Sequence, residues 1–541
     1  MSSSPLPPAD SASADAQPAG GGAAPPPRKP AGGSLWRSTF IVSAMTLLSR
    51  IAGLVRDMVF MNLFGASKLM DAFLVAFKIP NFLRRLFAEG AFSQAFVPVL
   101  SEVRTQRGDS EVRRLIDHVA GSLTVILGAL TVVSIVFSPA IIFIFAPGFR
   151  GDELKFDLAA DMLRITFPYL LLISLTAFAG GILNTYGRFG ASSFTPVLMN
   201  LSMIACAVWL SPLLSTPIMA LAWGVLIAGV VQLGFQWWPL RQLNLVPRIR
   251  PDFKDPDVKR ILTLMVPAMF GVSVSQINLL LDTILASFLV EGSVSWLYTA
   301  DRLTELPLGL IGIAVATVIL PTLSTKHAQK SDAEFRGTID WALKVIVMVG
   351  LPASLAMGVL AEPLIASLFH HGKFDDNAVI QSAMALQALA GGILAFMLIK
   401  VFAPAFYARQ DIRTPVRIGI IAMVANMVFN LMLVWHLAHV GLSLASTLSA
   451  FLNAGLLYKG LHQRGIYRLE AHWARLALRF LAANALMVAV LLWITPDTAW
   501  WLDNQGWSRV GWVLLICAAG AATYGIALLA AGFRPRELRH P

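Results

Sequence analysis

From Trp36 onward, apolar residues run in blocks separated by short polar gaps. Each block is near the length of about 20 residues that carries a helix across a bilayer. The pattern predicts fourteen helical segments, at 36–64, 70–100, 114–146, 160–186, 194–212, 217–239, 260–290, 296–323, 338–369, 378–407, 415–437, 440–462, 473–494 and 508–532. Prolines inside them, among them Pro80, Pro168, Pro267, Pro307, Pro352 and Pro404, fit membrane helices whose neighbours re-satisfy the freed backbone groups. Residues 1–35 are largely Ala, Pro, Gly and Ser. They bury too little apolar surface to offset the entropy of ordering and are expected to form a disordered tail.

Composition places the chain in one class. Of its 541 residues 13% are charged and 56% hydrophobic, with a mean hydropathy of +0.68, whereas a soluble domain carries about 25% charged residues. The expectation is an all-α polytopic membrane protein. Two cysteines, Cys206 and Cys517, both in apolar runs, exclude a disulfide framework or a cysteine metal cluster. A net charge of +11 would suggest nucleic acid in a soluble protein, so its placement matters. With most charges at segment ends counted in the adjoining gap, alternate gaps hold 26 of the 42 Lys and Arg residues, the intervening gaps 5, and the remaining 11 fall inside the segments. The positive-inside rule then puts both termini in the cytoplasm, which requires an even number of crossings. A nucleic-acid partner is excluded.

A weak repeat is visible. Pro98-Val-Leu-Ser101 recurs as Pro321-Thr-Leu-Ser324, Tyr186-Gly-Arg188 as Tyr407-Ala-Arg409, and Thr195-Pro196 as Thr414-Pro415, all at offsets near 220. The unit spans six helices, so its copies share orientation. This predicts two parallel six-helix lobes, 36–240 and 258–464, around a V-shaped central cavity, with two extra helices at 472–532 and a short tail at 533–541. Transporters built from such repeats bind cargo between the lobes and rock one against the other.

The charges within the segments are the candidate chemistry. Insertion of one charge at the bilayer centre costs at least about 2.5–3.5 kcal/mol, so these side chains should face a water-filled cavity or each other. The first segment carries Arg50, Arg56 and Asp57. Positions 50 and 57 are seven apart, so they share a helix face and could pair, which leaves Arg56 projecting elsewhere. The second carries Asp71, Lys78, Arg84, Arg85 and Glu89, and the eighth carries Asp301, Arg302 and Glu305, where i, i+3 spacing lets Arg302 meet Glu305. Arg50, Arg56, Arg84, Arg302 and Lys400 come from both lobes, and a surplus of guanidinium groups suits a multiply charged anion such as a phosphate. Asp57, Asp71, Glu89 and Glu305 are candidate ion-pair or gating acids. Asp282, Asn426, Asn430 and Thr447 form either an oxygen-lined cation site or a hydrogen-bonded helix contact. His370-His371, His436 and His439 match no standard ligand spacing. No phosphate-binding loop or zinc-binding helix motif occurs, so no enzymatic step and no bound cofactor are expected. Energy would come from the membrane potential or an ion gradient.

Several of these stretches resemble one known family. Ser49-Arg50-Ile-Ala-Gly-Leu-Val-Arg56-Asp57 and Asp71-Ala-Phe-Leu-Val-Ala-Phe-Lys-Ile-Pro-Asn-Phe-Leu-Arg84-Arg85-Leu-Phe-Ala-Glu89-Gly-Ala-Phe-Ser-Gln-Ala-Phe-Val-Pro98 are similar to the MurJ (MviN) lipid II flippases. These belong to the multidrug/oligosaccharidyl-lipid/polysaccharide exporter superfamily. Gly292-Ser-Val-Ser-Trp-Leu-Tyr-Thr-Ala-Asp-Arg302-Leu-Thr-Glu305 and Phe406-Tyr-Ala-Arg-Gln-Asp-Ile-Arg-Thr-Pro415 support the match. The resemblance implies a multi-pass protein of the bacterial inner membrane that moves lipid II, the undecaprenyl-diphosphate-linked peptidoglycan precursor, to the outer leaflet for cell-wall synthesis. It implies that Arg50, Arg56 and Arg302 hold the diphosphate and nearby sugar, that Asp71 and Arg84 also serve the cavity, and that Glu89 and Lys400 contribute. The two extra helices would form a groove for the polyprenyl tail. Membrane lipids and cell-wall synthesis proteins are the other implied partners. Some relatives bind sodium between their helices 7, 11 and 12, and Asn430 stands where some of them have a carboxylate. The long N-terminal tail is a second departure.

Two rival readings make different demands. A cation-coupled drug exporter of the same architecture calls for acidic or aromatic cavity walls. A non-transporting scaffold for cell-wall enzymes calls for cavity arginines that can be neutralised without effect.

Overall fold

The computed structural model describes residues 32–309, 313–504, 506–534 and 537, without the side chains of 32–40, 88–91, 268, 270–275, 313, 314, 316 and 317. Most of the two predicted tails therefore lies outside the described residues. Among the described residues, the predicted apolar segments fall largely on helix. α1 (Gly32–Phe64) starts four residues ahead of its predicted segment, so the end of the expected tail is helical. The second segment is α2 (Lys68–Arg84) and α3 (Ser93–Gln106), joined by a π-helical turn at Arg85–Phe92. The third and fourth each divide in two, into α4 (Asp109–Val136) and α5 (Ser138–Phe145), then α6 (Glu153–Thr166) and α7 (Tyr169–Thr185). α8 (Phe189–Ala205) and α9 (Met219–Gln242) follow. After a linker come α10 (Pro256–Ala286), α11 (Ser293–Pro307), α12 (Ile313–Ala328), α13 (Asp332–Val359), α14 (Ala361–Phe369), α15 (Asp376–Ala390) and α16 (Ile393–Tyr407). The chain ends in α17 (Arg413–Gln463), α18 (His472–Ile494), α19 (Thr498–Asp503) and α20 (Trp507–Ala530).

The helix breaks carry the repeat more clearly than the residues do. Phe137, at φ −96° and ψ 22°, separates α4 from α5, and Leu360, 223 residues on, separates α13 from α14 at φ −94° and ψ 16°. Pro168 parts α6 from α7, and Gly391, again 223 residues on, parts α15 from α16. The π-helical turn that starts at Arg85 recurs at Leu308. One spacing governs all three interruptions although the residues at them differ.

α17 is a hairpin. Asn426 donates to Ser446 and Ser449, which a straight helix would carry roughly 30 Å away. The reversal is at Ala438, whose φ of 47° and ψ of −129° are unusual for a residue with a Cβ. The predicted boundary between 437 and 440 falls on it. Among the described residues, nine helical stretches are long and apolar enough to cross a membrane, α17 counting as one. The other predicted crossings fall in α1, α2–α3, α10 and α11–α12, which hold most of the charges within segments. α20 shows where lipid lies. Its most apolar window has a mean hydropathy of 2.2, yet only 17% of it is buried within the protein.

Packing follows the two halves. α1 packs on α8, α8 on α9, α9 on α7 and α2 on α6. In the second half α16 packs on α17 and α13, and α12 on α13 and α16. α10 and α11 bridge the halves, α10 against α3 and α17, α11 against α15 and α2. α18 and α20 pack on each other, the first also on α13 and the second on α14. Gaps predicted to share a side meet: on the basic side Arg107 pairs with Asp257 at 2.7 Å and Arg260 with Glu102 at 3.0 Å. On the opposite side Lys68 pairs with Asp152 at 3.3 Å, and its backbone N–H donates to Glu291.

Asp255 fixes the start of α10. Its Oδ1 accepts from the N–H groups of Asp257 and Val258, and its Oδ2 lies 2.8 Å from His118 Nδ1 and 3.6 Å from Arg114 Nε. Burial pushes this carboxyl up, but the His118 and backbone hydrogen bonds and the Arg114 charge outweigh it and hold the group below its ordinary value. Its stabilising contribution is therefore complete above the ordinary carboxylate pKa of about 3.9 and is lost as pH falls through the lower folded value. Asp255→Ala removes a cap worth about 0.5–2 kcal/mol. Hydrogen exchange near neutral pH should show faster opening at Asp257 and Val258. Unchanged exchange would mean the cap carries no stability.

Candidate functional site

A cavity of about 740 Å³ lies between the halves, walled by α1, α2, α7, α8, α9, α10 and α11. Six basic side chains line it, Arg50, Arg56, Lys78, Arg84, Arg85 and Arg302, against two acidic ones, Asp301 and Glu305. The imbalance makes a site for an anion. α2 supplies Lys78 and Arg84, and the π-helical turn that follows, where the register shifts, supplies Arg85.

Asp57 is the hinge of the site, but its partners are not those that helix spacing predicts. Arg50 does not pair with it. Arg50 donates to the backbone carbonyl of Glu305 at 3.3 Å, while Arg56 folds back onto Asp57 Oδ1 through Nε at 2.9 Å and Nη2 at 2.6 Å. The i, i+7 rule identifies a shared face, and it says nothing about side chains arriving from other helices. Two such groups decide the matter. Tyr298 of α11 donates to Asp57 Oδ1 at 2.9 Å and accepts from Arg56, while Asn200 of α8 accepts from Arg56 at 3.1 Å. Arg302 Nε lies 2.6 Å from Asp57 Oδ2. Among the described residues that oxygen accepts no directed hydrogen bond, so the link is ionic. Arg302 also meets Glu305 at 3.2 Å, as the i, i+3 spacing predicts. Arg56 and Asp57 are buried, whereas a quarter of the Arg302 side chain is exposed toward the cavity. Arg56 is thus held by protein on most sides, and Arg50 and Arg302 are freer to meet a ligand.

Asp71 sits away from this cluster. Fully buried, its carboxylate accepts from Gly292 N–H, Ser295 N–H and Ser295 Oγ at 2.7–2.9 Å, and from Lys155 Nζ at 3.0 Å. It thereby ties α2 and α6 to the first turn of α11. Gly292 stands there at φ 89°, with no room for a Cβ between Ala66 and Trp296. Nearby, Lys373 N–H donates to the Asn62 carbonyl, and Phe60, Met61, Phe64, Phe369 and Phe374 are buried. The halves are closed together on the side opposite the basic loops.

Glu89's side chain lies outside the described residues. Lys400, on α16, is not among the residues lining the cavity. Of the four candidate cation ligands, three meet: Asn430 Nδ2 donates to Asp282 Oδ1 and to Asn426 Oδ1, both at 2.7 Å. An amide N–H therefore points at the oxygens that a cation would need. Thr447 donates instead to the Ala388 carbonyl. Tyr298 and Asn200 have no signature in the sequence, since a lone Tyr and Asn within apolar helices carry no local signal. Lys78 and Arg85 stand in the same charged stretch as Arg84 and could have been added on that ground.

Gly53 reports on Arg302. A Cβ there would stand 2.1 Å from Arg302 Nη2, so Gly53→Ala must displace the guanidinium. The tip of a flexible side chain gives way without overpacking the core, so membrane insertion should be normal, and a loss of about 1.4 kcal/mol in cargo binding would lower transport about tenfold. Full transport would show that the guanidinium relocates without consequence.

Two repeated helical halves closed over a cation-lined cavity define a multi-pass membrane transporter of the alternating-access type. A family profile described as lipid II flippase MurJ matches residues 60–504. A probable lipid II flippase MurJ of Vibrio cholerae is 48% identical over 512 residues, covering 93% of this chain and 98% of the relative. A lipid II flippase MurJ of Burkholderia cenocepacia is 41% identical over 506 residues, covering 93% and 98%. Among solved structures, a lipid II flippase MurJ in an inward closed conformation superposes with a TM-score of 0.76 at 26% identity, covering 90% of this chain and 98% of that one. A multidrug transporter of the MATE family, inward-facing, shares the fold alone, with a TM-score of 0.66 at 16% identity and coverage of 79% and 98%. The chain belongs to the lipid II flippase MurJ family.

Proposed function

We propose that this protein carries lipid II from the inner to the outer leaflet of the bacterial inner membrane, with both termini in the cytoplasm. The carrying observation is the cavity wall, six bases against two acids, between halves that close on the side opposite the basic loops. Arg50 and Arg302 meet the diphosphate, Arg84, Lys78 and Arg85 add charge, and Arg56 with Asp57 and Tyr298 orients Arg302. Cargo enters from the basic, cytoplasmic side. The diphosphate competes with Asp57 for Arg302, which loosens the link between α1 and α11 and lets the halves rock. The polyprenyl tail stays in lipid against the apolar outer faces of α18 and α20, where Leu478, Leu481, Leu515 and Leu529 are exposed.

After release, the emptied cavity carries net positive charge, and a membrane potential negative inside favours its return. A potential of 100 mV contributes about 2.3 kcal/mol per charge that crosses fully. The wall disfavours the drug-exporter reading, because an arginine-rich surface repels cationic drugs. The test is complementation: cells depleted of their own flippase receive this chain, and outer-leaflet lipid II is measured. Restored outer-leaflet lipid II and growth are expected. A well-inserted protein that restores neither would overturn the reading.

A further inference from the structure

A second basic cavity, of about 810 Å³, lies on the basic side of the bundle, outside the central site. Three arginines from three elements line it: Arg113 of α4, Arg241 at the end of α9, and Arg248 of the linker to α10. All three are exposed, and none forms an ion pair among the described residues. One acid, Asp117, also lines the cavity. It is engaged by the linker backbone, since its Oδ1 accepts from Arg248 N–H at 2.8 Å and its carbonyl from Arg250 N–H at 3.4 Å. Three guanidinium groups thus converge on one volume and call for an anion.

The approach to that volume is apolar. On α9, positions 227, 230, 234, 237 and 241 follow one another at spacings of three and four, which places them on one face. Ile227, Val230 and Trp237 are 39%, 56% and 50% exposed, and Trp238 beside them is 68% exposed. Gly234 leaves a notch in the face, with nothing within 4 Å of a Cβ built on it. An apolar stripe with a notch, ending in tryptophans and then an arginine, has the profile of a lipid site. The chains would run along the stripe, the aromatic rings would mark the interface, and the basic groups would meet the headgroup.

We propose that the pocket of Arg113, Arg241 and Arg248 binds the phosphate of an anionic membrane phospholipid whose acyl chains lie along α9. Because Arg248 belongs to the linker while Arg113 and Arg241 belong to the first half, the bound headgroup pins the linker to that half. It thereby restrains the start of α10, the helix that bridges the halves. A lipid is favoured over a soluble phosphate because the stripe leads straight into the pocket.

The test is native mass spectrometry of the full chain, delipidated and then titrated with phosphatidylglycerol or phosphatidylcholine. One tightly held phosphatidylglycerol per protein is expected, with no equivalent phosphatidylcholine. Each arginine should contribute about fivefold to affinity, from about 1 kcal/mol per basic side chain near a lipid surface. The variant R113Q/R241Q/R248Q should therefore lose about a hundredfold. If that variant does not fold, R241Q alone should lose about fivefold, and G234L, which fills the notch with every arginine in place, should also weaken binding. Unchanged retention in R241Q and G234L would overturn the proposal. So would millimolar inorganic phosphate displacing the phosphatidylglycerol, since the site would then belong to a soluble anion.

Discussion

Arg302→Ala is expected to reduce outward translocation at least a hundredfold while the protein still reaches the membrane. Arg302 links Asp57 of the first half to Glu305 of its own helix, and part of it faces the cavity. It is therefore the base best placed to exchange a protein carboxylate for a cargo diphosphate. Two charge-assisted hydrogen bonds to phosphate oxygens, each worth roughly 1.5–3 kcal/mol, correspond to a hundredfold or more. The substitution also leaves Asp57 with Arg56 as its charged partner, so the link between α1 and α11 weakens. Arg302→Lys separates the two effects. It keeps the charge but loses the planar fork, so it should retain more transport than alanine and less than arginine. The measurement is the outer-leaflet fraction of lipid II in flippase-depleted cells, normalised to membrane-inserted protein. Full translocation by the alanine variant would make Arg302 a structural ion-pair residue and revive the scaffold reading, in which cavity arginines are dispensable.

Much of this architecture is legible in the sequence, for physical reasons that differ from part to part. Bilayer thickness imposes a length on apolar runs, so the segments can be read off directly. Alternation of basic and non-basic gaps gives the sides, and the contacts of Arg107 with Asp257 and of Lys68 with Asp152 each join gaps assigned to one side. The hairpin at 437–440 is legible because the apolar run around it is too long for one crossing, although the positive φ at Ala438 is not. The repeat was only faintly visible in residues such as Pro98 and Pro321. A helix break can be made by Pro168 in one copy and Gly391 in the other, so backbone geometry retains what residue identity loses.

The cavity was harder to read. Charge inside an apolar run correctly flags that Arg50, Arg56, Arg84 and Arg302 need a reason to be there. It does not say which helix face meets which neighbour, and so it groups Lys400 with them although Lys400 does not line the cavity. The pairing of Asp57 depends on Tyr298 and Asn200, both more than 140 positions away in the chain. Three-dimensional convergence of this kind leaves no trace in local spacing. Asp71 is recognisable in the sequence as an acid needing a partner, but two of its donors are the backbone N–H groups of Gly292 and Ser295, and any residue but proline carries such a donor.

Those donors make Asp71→Asn the second large effect, and a conformational one. The substitution leaves the Lys155 ammonium buried without its counter-charge, a change that costs about 3–5 kcal/mol. The cost falls on the state in which α2, α6 and α11 are locked together. The closed state should therefore lose about two to four orders of magnitude in population relative to any state that lets water reach Lys155. Thr299, one turn beyond Ser295 in α11 and buried, reports the change. In a background with Cys206 and Cys517 replaced by serine, Thr299→Cys should resist a membrane-impermeant maleimide applied from outside, and Asp71→Asn should raise its labelling rate about a hundredfold. Ser295→Ala, which removes one donor and leaves the charges intact, should raise it far less. The double variant Asp71→Asn with Lys155→Met discriminates between the two causes. If the uncompensated ammonium drives opening, removing it restores most of the closure. If the lost backbone hydrogen bonds drive it, labelling stays fast, and the seal rests on the first turn of α11 rather than on the ion pair. Labelling unchanged in all three variants would show that Asp71 does not hold the gate.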